Sequence, residues 1–136
     1  MLPIPYLTFQ GSCREAMENY ARIFNAPAPD FNILSEAPDA ENQFPKDKLG
    51  LVMNAMVKIG EGWLFGSDDI MGGTPMMAGS SVMVSLDSTA AAKAAYDALA
   101  VGGEIEMPFE KTFWTDGFGQ VTDRFGIRWM ISAPMQ

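Results

Sequence analysis

What most constrains this chain is an order of apolar periodicities that is written twice. In the first half, residues 4–9 read as a short strand, and Ser12 followed by Glu15 has the spacing of a capping box. Ala16, Met17, Tyr20, Ile23 and Phe24 then recur at helical spacing until Asn25 and Pro27 stop the helix. Residues 30–36 predict a second strand, and 37–48, rich in proline and charge, a solvated loop. Residues 51–59 and 63–68 predict a hairpin turned at Gly60-Glu61-Gly62, so the order is βαβββ. A linker of glycine, methionine and proline follows over 69–78, and the order begins again. Val82, Val84 and Leu86 form one face of a strand, Ser88 caps an alanine-rich helix over 91–100, and Gly102-Gly103 ends it. Residues 104–110 predict a strand. A last hairpin alternates Phe118, Gln120 and Thr122 with Gly119, Val121 and Asp123, turns at Arg124-Phe125-Gly126, and returns through Ile127, Trp129 and Ile131. The two serine caps lie 76 residues apart, which reads as an internal duplication.

One helix per unit covers one face of a sheet, and the other face needs a further layer. The expected class is therefore α+β, with two βαβββ modules forming curved mixed sheets around a cleft. With 136 residues, 48% of them hydrophobic, the chain suits a single domain, with modules at about 1–70 and 78–136. Sheet faces and edges left bare by two helices predict a homodimer. Whether the cleft forms within one chain or across the dimer is open at this level.

Seventeen acidic against nine basic side chains give a net charge of −8, which argues against nucleic acid and anionic membrane as partners. No apolar run approaches the roughly 20 residues of a membrane span, and the start MLPIPYLTF has no basic region. A cytoplasmic protein is expected. Cys13 has no second cysteine, and the chain has no histidine to activate it, so an inert thiol at a helix start is expected.

Several segments together resemble the vicinal oxygen chelate superfamily of glyoxalases, extradiol dioxygenases and bleomycin-resistance proteins, most closely its PhnB-like branch. They are Pro5-Tyr6-Leu7-Thr8-Phe9, Gly11 to Ala16, Gly66-Ser67-Asp68, Lys111-Thr112-Phe113-Trp114, and Phe118-Gly119 with Asp123 to Trp129. Some relatives carry a label resembling demethylubiquinone methyltransferase, but the chain shows no strand, glycine-rich loop and helix unit for a methyl donor. The resemblance implies four metal ligands of histidine, glutamate or glutamine type in metal-dependent members. The matching positions here are Pro5, Phe65 or Gly66, Ser81 and Met130, none of them a good ligand for a borderline or hard divalent ion. Neither a metal nor another cofactor is expected. Asn54 stands where many PhnB-like relatives carry a histidine, which removes a proton shuttle near neutral pH.

Strand alternation sends Asn54, Met56 and Lys58 to the open face of one sheet, and Ser81, Met83, Arg128 and Met130 to that of the other. With Ser67 and Trp114 these are the candidate ligand-binding residues, and no catalytic residue is assigned. Methionine suits an adaptable surface, although eleven methionines also suit a core and a dimer seam. Trp114 fits either a cleft mouth or a dimer anchor. Lys58 and Arg128 fit either an anionic ligand group or surface ion pairs. Asp68 and Asp69 point to opposite faces and suggest turn or helix-cap roles, and Glu104, Glu106 and Glu110 a solvated edge strand. The leading function is binding of a small, partly apolar molecule. Two alternatives stand beside it: an enzyme using Asn54, Ser67, Asp68 and Arg128 on an aromatic or dicarbonyl substrate, and an interaction module whose pocket is filled by Met56, Met83, Met130 and Trp114.

Overall fold

The computed structural model describes residues 1–135, which divide into two compact units, one ending at Thr74 and the other beginning at Pro75. The first unit runs β1 (Tyr6–Phe9), α1 (Cys13–Ile23), β2 (Asp30–Ile33), a short α2 (Ala40–Gln43), β3 (Val52–Ile59) and β4 (Gly62–Asp68). The second runs β5 (Val82–Ser85), α3 (Thr89–Ala100), β6 (Glu104–Glu110), β7 (Phe118–Thr122) and β8 (Arg128–Ser132). Their sheets have the same topology. The strand orders are β1-β4-β3-β2 and β5-β8-β7-β6, with β1/β4 and β5/β8 parallel and the remaining neighbours antiparallel.

The expected curvature is not found. Each sheet is an open set of four strands that does not curl on itself, with β1 and β2 as the edges of one and β5 and β6 as the edges of the other. Closing a sheet requires its first and last strands to reach each other through tilt and stagger, which four strands do not supply. The β6 edge is further interrupted by register shifts on both sides of Met107, next to Pro108, which has no N–H to give a ladder.

In the first unit α1 buries Cys13, Ala16, Met17, Tyr20 and Ala21 against a sheet face made by Leu7, Phe9, Val52, Ala55, Val57 and Leu64. Asn25, at φ 53°, takes the left-handed conformation that ends the helix where the sequence asks for it. In the second unit α3 lays Ala92, Ala95, Tyr96 and Leu99 over Val82, Val121, Trp129 and Ile131. Gly119 allows this close approach, since a Cβ there would lie 2.6 Å from the Tyr96 ring.

Two local expectations are corrected. Ser12 makes no side-chain cap, whereas the Ser88 hydroxyl accepts from the Ala91 N–H at 3.1 Å. Asp68 replaces the missing cap: its Oδ1 accepts from the Cys13 N–H and its Oδ2 from the Val52 N–H, both at 2.9 Å. The stretch 37–48 is not a plain loop either. Residues Leu34–Glu36, Ala40–Gln43 and Lys46–Lys48 form short helical turns, because Leu34 and Ala40 each bury to 2% exposure while Glu36 accepts the Ile33 N–H.

Cys13 is fully buried, and burial, followed by the charge of Asp68, pushes its thiol up from an ordinary 9.0 to about 12. The folded pKa lies above the unfolded one, so this contribution to stability is complete below about pH 9 and is lost as pH rises towards about 12. Urea stability is expected to fall between pH 8 and 10.5, and to fall less in Cys13→Ala. An equal decline in both proteins would place the alkaline sensitivity elsewhere, for instance at Tyr96, whose phenol burial also raises.

Candidate functional site

Period-two alternation and the pairing register fix what each helix-free face carries. In the first unit Tyr6, Phe65, Met56 and Asp30 form one row across the sheet. Asn54 lies one row away beside Asn32, whose Nδ2 donates to the Asn54 Oδ1 at 2.7 Å. Ser67 pairs with Thr8, and Lys58 with Trp63. Asn54, Met56 and Ser67 are half-buried, while Lys58 is exposed. Asp68 belongs to the opposite face, with its carboxylate spent on two backbone donors. Of the set Asn54, Ser67, Asp68 and Arg128, Asp68 is thereby set apart from Asn54 and Ser67, since its carboxylate faces the helix.

In the second unit the register lines up Met83, Met130, Gln120 and Met107 across all four strands. Arg128 pairs with Thr122 in the adjacent row. Ser81 stands just ahead of β5 and joins Gly79, Ser80, Arg128 and Met130 around a recess of about 260 Å3. Among the described residues neither Lys58 nor Arg128 forms an ion pair, whereas Lys93 pairs with Asp97 at 2.9 Å.

Trp114, 37% exposed, lies in an edge-on cluster with Phe113 at 4.8 Å and Phe118 at 5.7 Å. Its loop is pinned. Buried Thr115 directs its hydroxyl to the carbonyls of Gly117, Ala133 and Pro134, and Thr112 Oγ1 accepts from the Trp114 and Thr115 N–H groups. Asn32, Gln120 and Met107 were not among the residues singled out from sequence. Asn32 and Gln120 carry the signal of a polar residue between apolar strand neighbours, whereas Met107 follows a register shift that no periodicity announces.

The positions matching a family metal site do not fit a hard divalent ion. Pro5, Phe65 and Gly66 offer no side-chain donor, Ser81 a neutral hydroxyl and Met130 a soft thioether. Among the described residues no three of His, Cys, Asp and Glu gather as a metal would require. No described helix is long and apolar enough to cross a membrane.

Two open mixed sheets, each with its parallel pair at one edge and one long helix over one face, define the fold of the glyoxalase/bleomycin-resistance superfamily, and solved proteins of that description share it. The chain belongs to the family described as 3-demethylubiquinone-9 3-methyltransferase, whose model matches residues 3–132. It is 34% identical to Protein YjdN of Escherichia coli strain K12, over 97% of this chain and 95% of that protein. It is 33% identical to protein PA1353 of Pseudomonas aeruginosa, with a TM-score of 0.85 over 98% of this chain and 97% of the other. A Bacillus cereus PhnB protein, described as a putative 3-demethylubiquinone-9 3-methyltransferase, shares the fold at 19% identity and a TM-score of 0.81, over 98% and 100% of the two chains.

Proposed function

We propose that this chain is a homodimeric, cytoplasmic protein that binds a small, partly apolar molecule on the helix-free faces of its sheets, without a resident metal ion. The observation that carries the reading is the row of Met83, Met130, Gln120 and Met107, three unbranched thioethers around one amide on a face that no helix of its unit covers. Thioethers repack around varied apolar shapes at low cost, and a few polar groups suffice to orient a ligand among them. The metal-free part rests on the donor chemistry at Pro5, Phe65, Ser81 and Met130. Calorimetric titration with nickel, zinc, manganese and iron(II) is expected to show no stoichiometric submicromolar uptake, and such uptake of any one of them overturns it.

Trp114 supplies the second test. Trp114→Ala is expected to weaken ligand binding or dimerisation by about tenfold, the order lost when a partly exposed aromatic anchor is truncated. Far-UV circular dichroism should stay unchanged, because Thr112 and Thr115 hold the loop independently of the indole. Sedimentation at micromolar concentration, read against twice the 14.8 kDa chain mass, and native mass spectrometry of co-purified ligand check the two arms. No change in either makes Trp114 an ordinary surface aromatic.

The family description favours a second reading, methyl transfer. Against it stands the turn between β1 and α1, Gln10-Gly11-Ser12, which holds a single glycine and whose first helical N–H, that of Cys13, donates to Asp68. Saturable binding of S-adenosylmethionine, with methyl transfer to a phenolic acceptor, would favour the enzyme.

A further inference from the structure

We propose that the recess formed by Gly79, Ser80, Ser81, Arg128 and Met130 receives an anionic group, a carboxylate or phosphate, of the bound molecule. The inference rests on the binding reading above and adds a charge class to it. Arg128 is half-buried in a chain of net charge −8, yet none of the seventeen acidic side chains pairs with it among the described residues. Along its row Arg128 pairs with Thr122, and Thr122 with Glu104, so a threonine stands between the guanidinium strand and that acidic edge; the Thr122 hydroxyl donates to Glu106 at 3.1 Å. A guanidinium that keeps its five donors free at a partly desolvated position is matched to a planar or tetrahedral oxyanion rather than to water alone.

The rest of the recess suits the same partner. Ser80 and Ser81 donate no side-chain hydrogen bond to the described protein, and Gly79, at φ 72°, turns the chain so that this Gly-Ser-Ser segment borders the guanidinium. The Arg128 backbone is itself held in place: its main-chain N–H donates to the Met77 sulfur at 3.4 Å, and β8 pairs on both sides with β5 and β7. Met130 links the recess to the methionine row, so a molecule seated here would present an anionic end to Arg128 and an apolar body to Met83 and Met130.

The test uses the intact protein and three probes: benzoate, its neutral isostere benzamide, and inorganic phosphate, each titrated while backbone amide shifts are followed by NMR. Benzoate is expected to shift the Ser80, Ser81 and Arg128 amides and to bind at least about tenfold more tightly than benzamide, a factor set by a charge-assisted pair. Arg128→Gln should abolish that preference, bringing benzoate affinity down to the level of benzamide, and Arg128→Lys should restore part of it. Equal binding of benzoate and benzamide at the methionine row overturns the anion site while the apolar-ligand reading survives. Phosphate shifts at Ser81 and Arg128, without benzamide shifts at Met83 and Met130, support the anion site and count against the apolar reading. Absence of any shift at Ser80, Ser81 and Arg128 with both anions overturns the inference.

Discussion

Asp123→Ala is expected to be among the most destabilising single changes in this chain, at about 3–6 kcal/mol, since it strands buried donors that each cost about 1–3 kcal/mol when left unpaired. Asp123 is 5% exposed. Its Oδ1 accepts the Phe125 and Ile127 N–H groups and its Oδ2 the Trp129 indole N–H, all at 2.9 Å. One side chain thereby shapes the β7–β8 turn and satisfies the polar atom of a fully buried tryptophan. The turn also relies on Gly126 at φ 88°, whose N–H returns to the Asp123 carbonyl at 2.9 Å. Urea unfolding of Asp123→Ala, Trp129→Phe and the double variant should give a coupling of at least about 1 kcal/mol. Additive losses would mean that the indole bond contributes nothing beyond packing. Because Arg128 and Met130 follow directly on β8, the single variant should also lose ligand binding.

For Asp68→Ala a loss of about 2–6 kcal/mol is expected, from two buried backbone donors at about 1–3 kcal/mol each. The carboxylate ties the first turn of α1 to the start of β3, two places far apart in sequence. Asp68→Asn should recover only part of the loss, because the amide offers one acceptor oxygen and sets a donor against the second N–H. The neighbouring Asp69 is the control. Its carboxylate, which accepts the Thr74 and Gly72 N–H groups and is held below the usual carboxylate range chiefly by the Thr74 bond, serves a surface loop whose donors return to water when it is removed. Asp69→Ala should therefore change urea stability little. If the two alanine variants unfold alike, the proposed role of Asp68 as a fastener is wrong.

These two aspartates also separate what is local in the sequence from what is not. Alternation at Val121, Ile127, Trp129 and Ile131 marks a hairpin by periodicity alone, since a half-buried strand must send every second side chain to the core. The same rule places Met56, Met83, Arg128 and Met130 off the helix-covered face, because parity is a property of the strand itself. Ser88 caps its helix with a neighbour three residues away, and Asn25 ends another, so both are readable locally.

By itself, then, the sequence determined the repeated βαβββ order, most strand limits to within two residues and the face of residues in unshifted strands such as β7 and β8, because all three depend on contacts a few residues apart. Tertiary structure alone decided that the sheets stay open and uncurled, that Asp68 rather than Ser12 serves the start of α1, and that 34–48 coils into helical turns over buried Leu34 and Ala40. It alone brought Met107 into line with Met83 and Met130, and left Arg128 unpaired beside Ser81. Each of those outcomes turns on which distant backbone donor, strand edge or charge comes within a few ångströms, and one-dimensional spacing does not encode that.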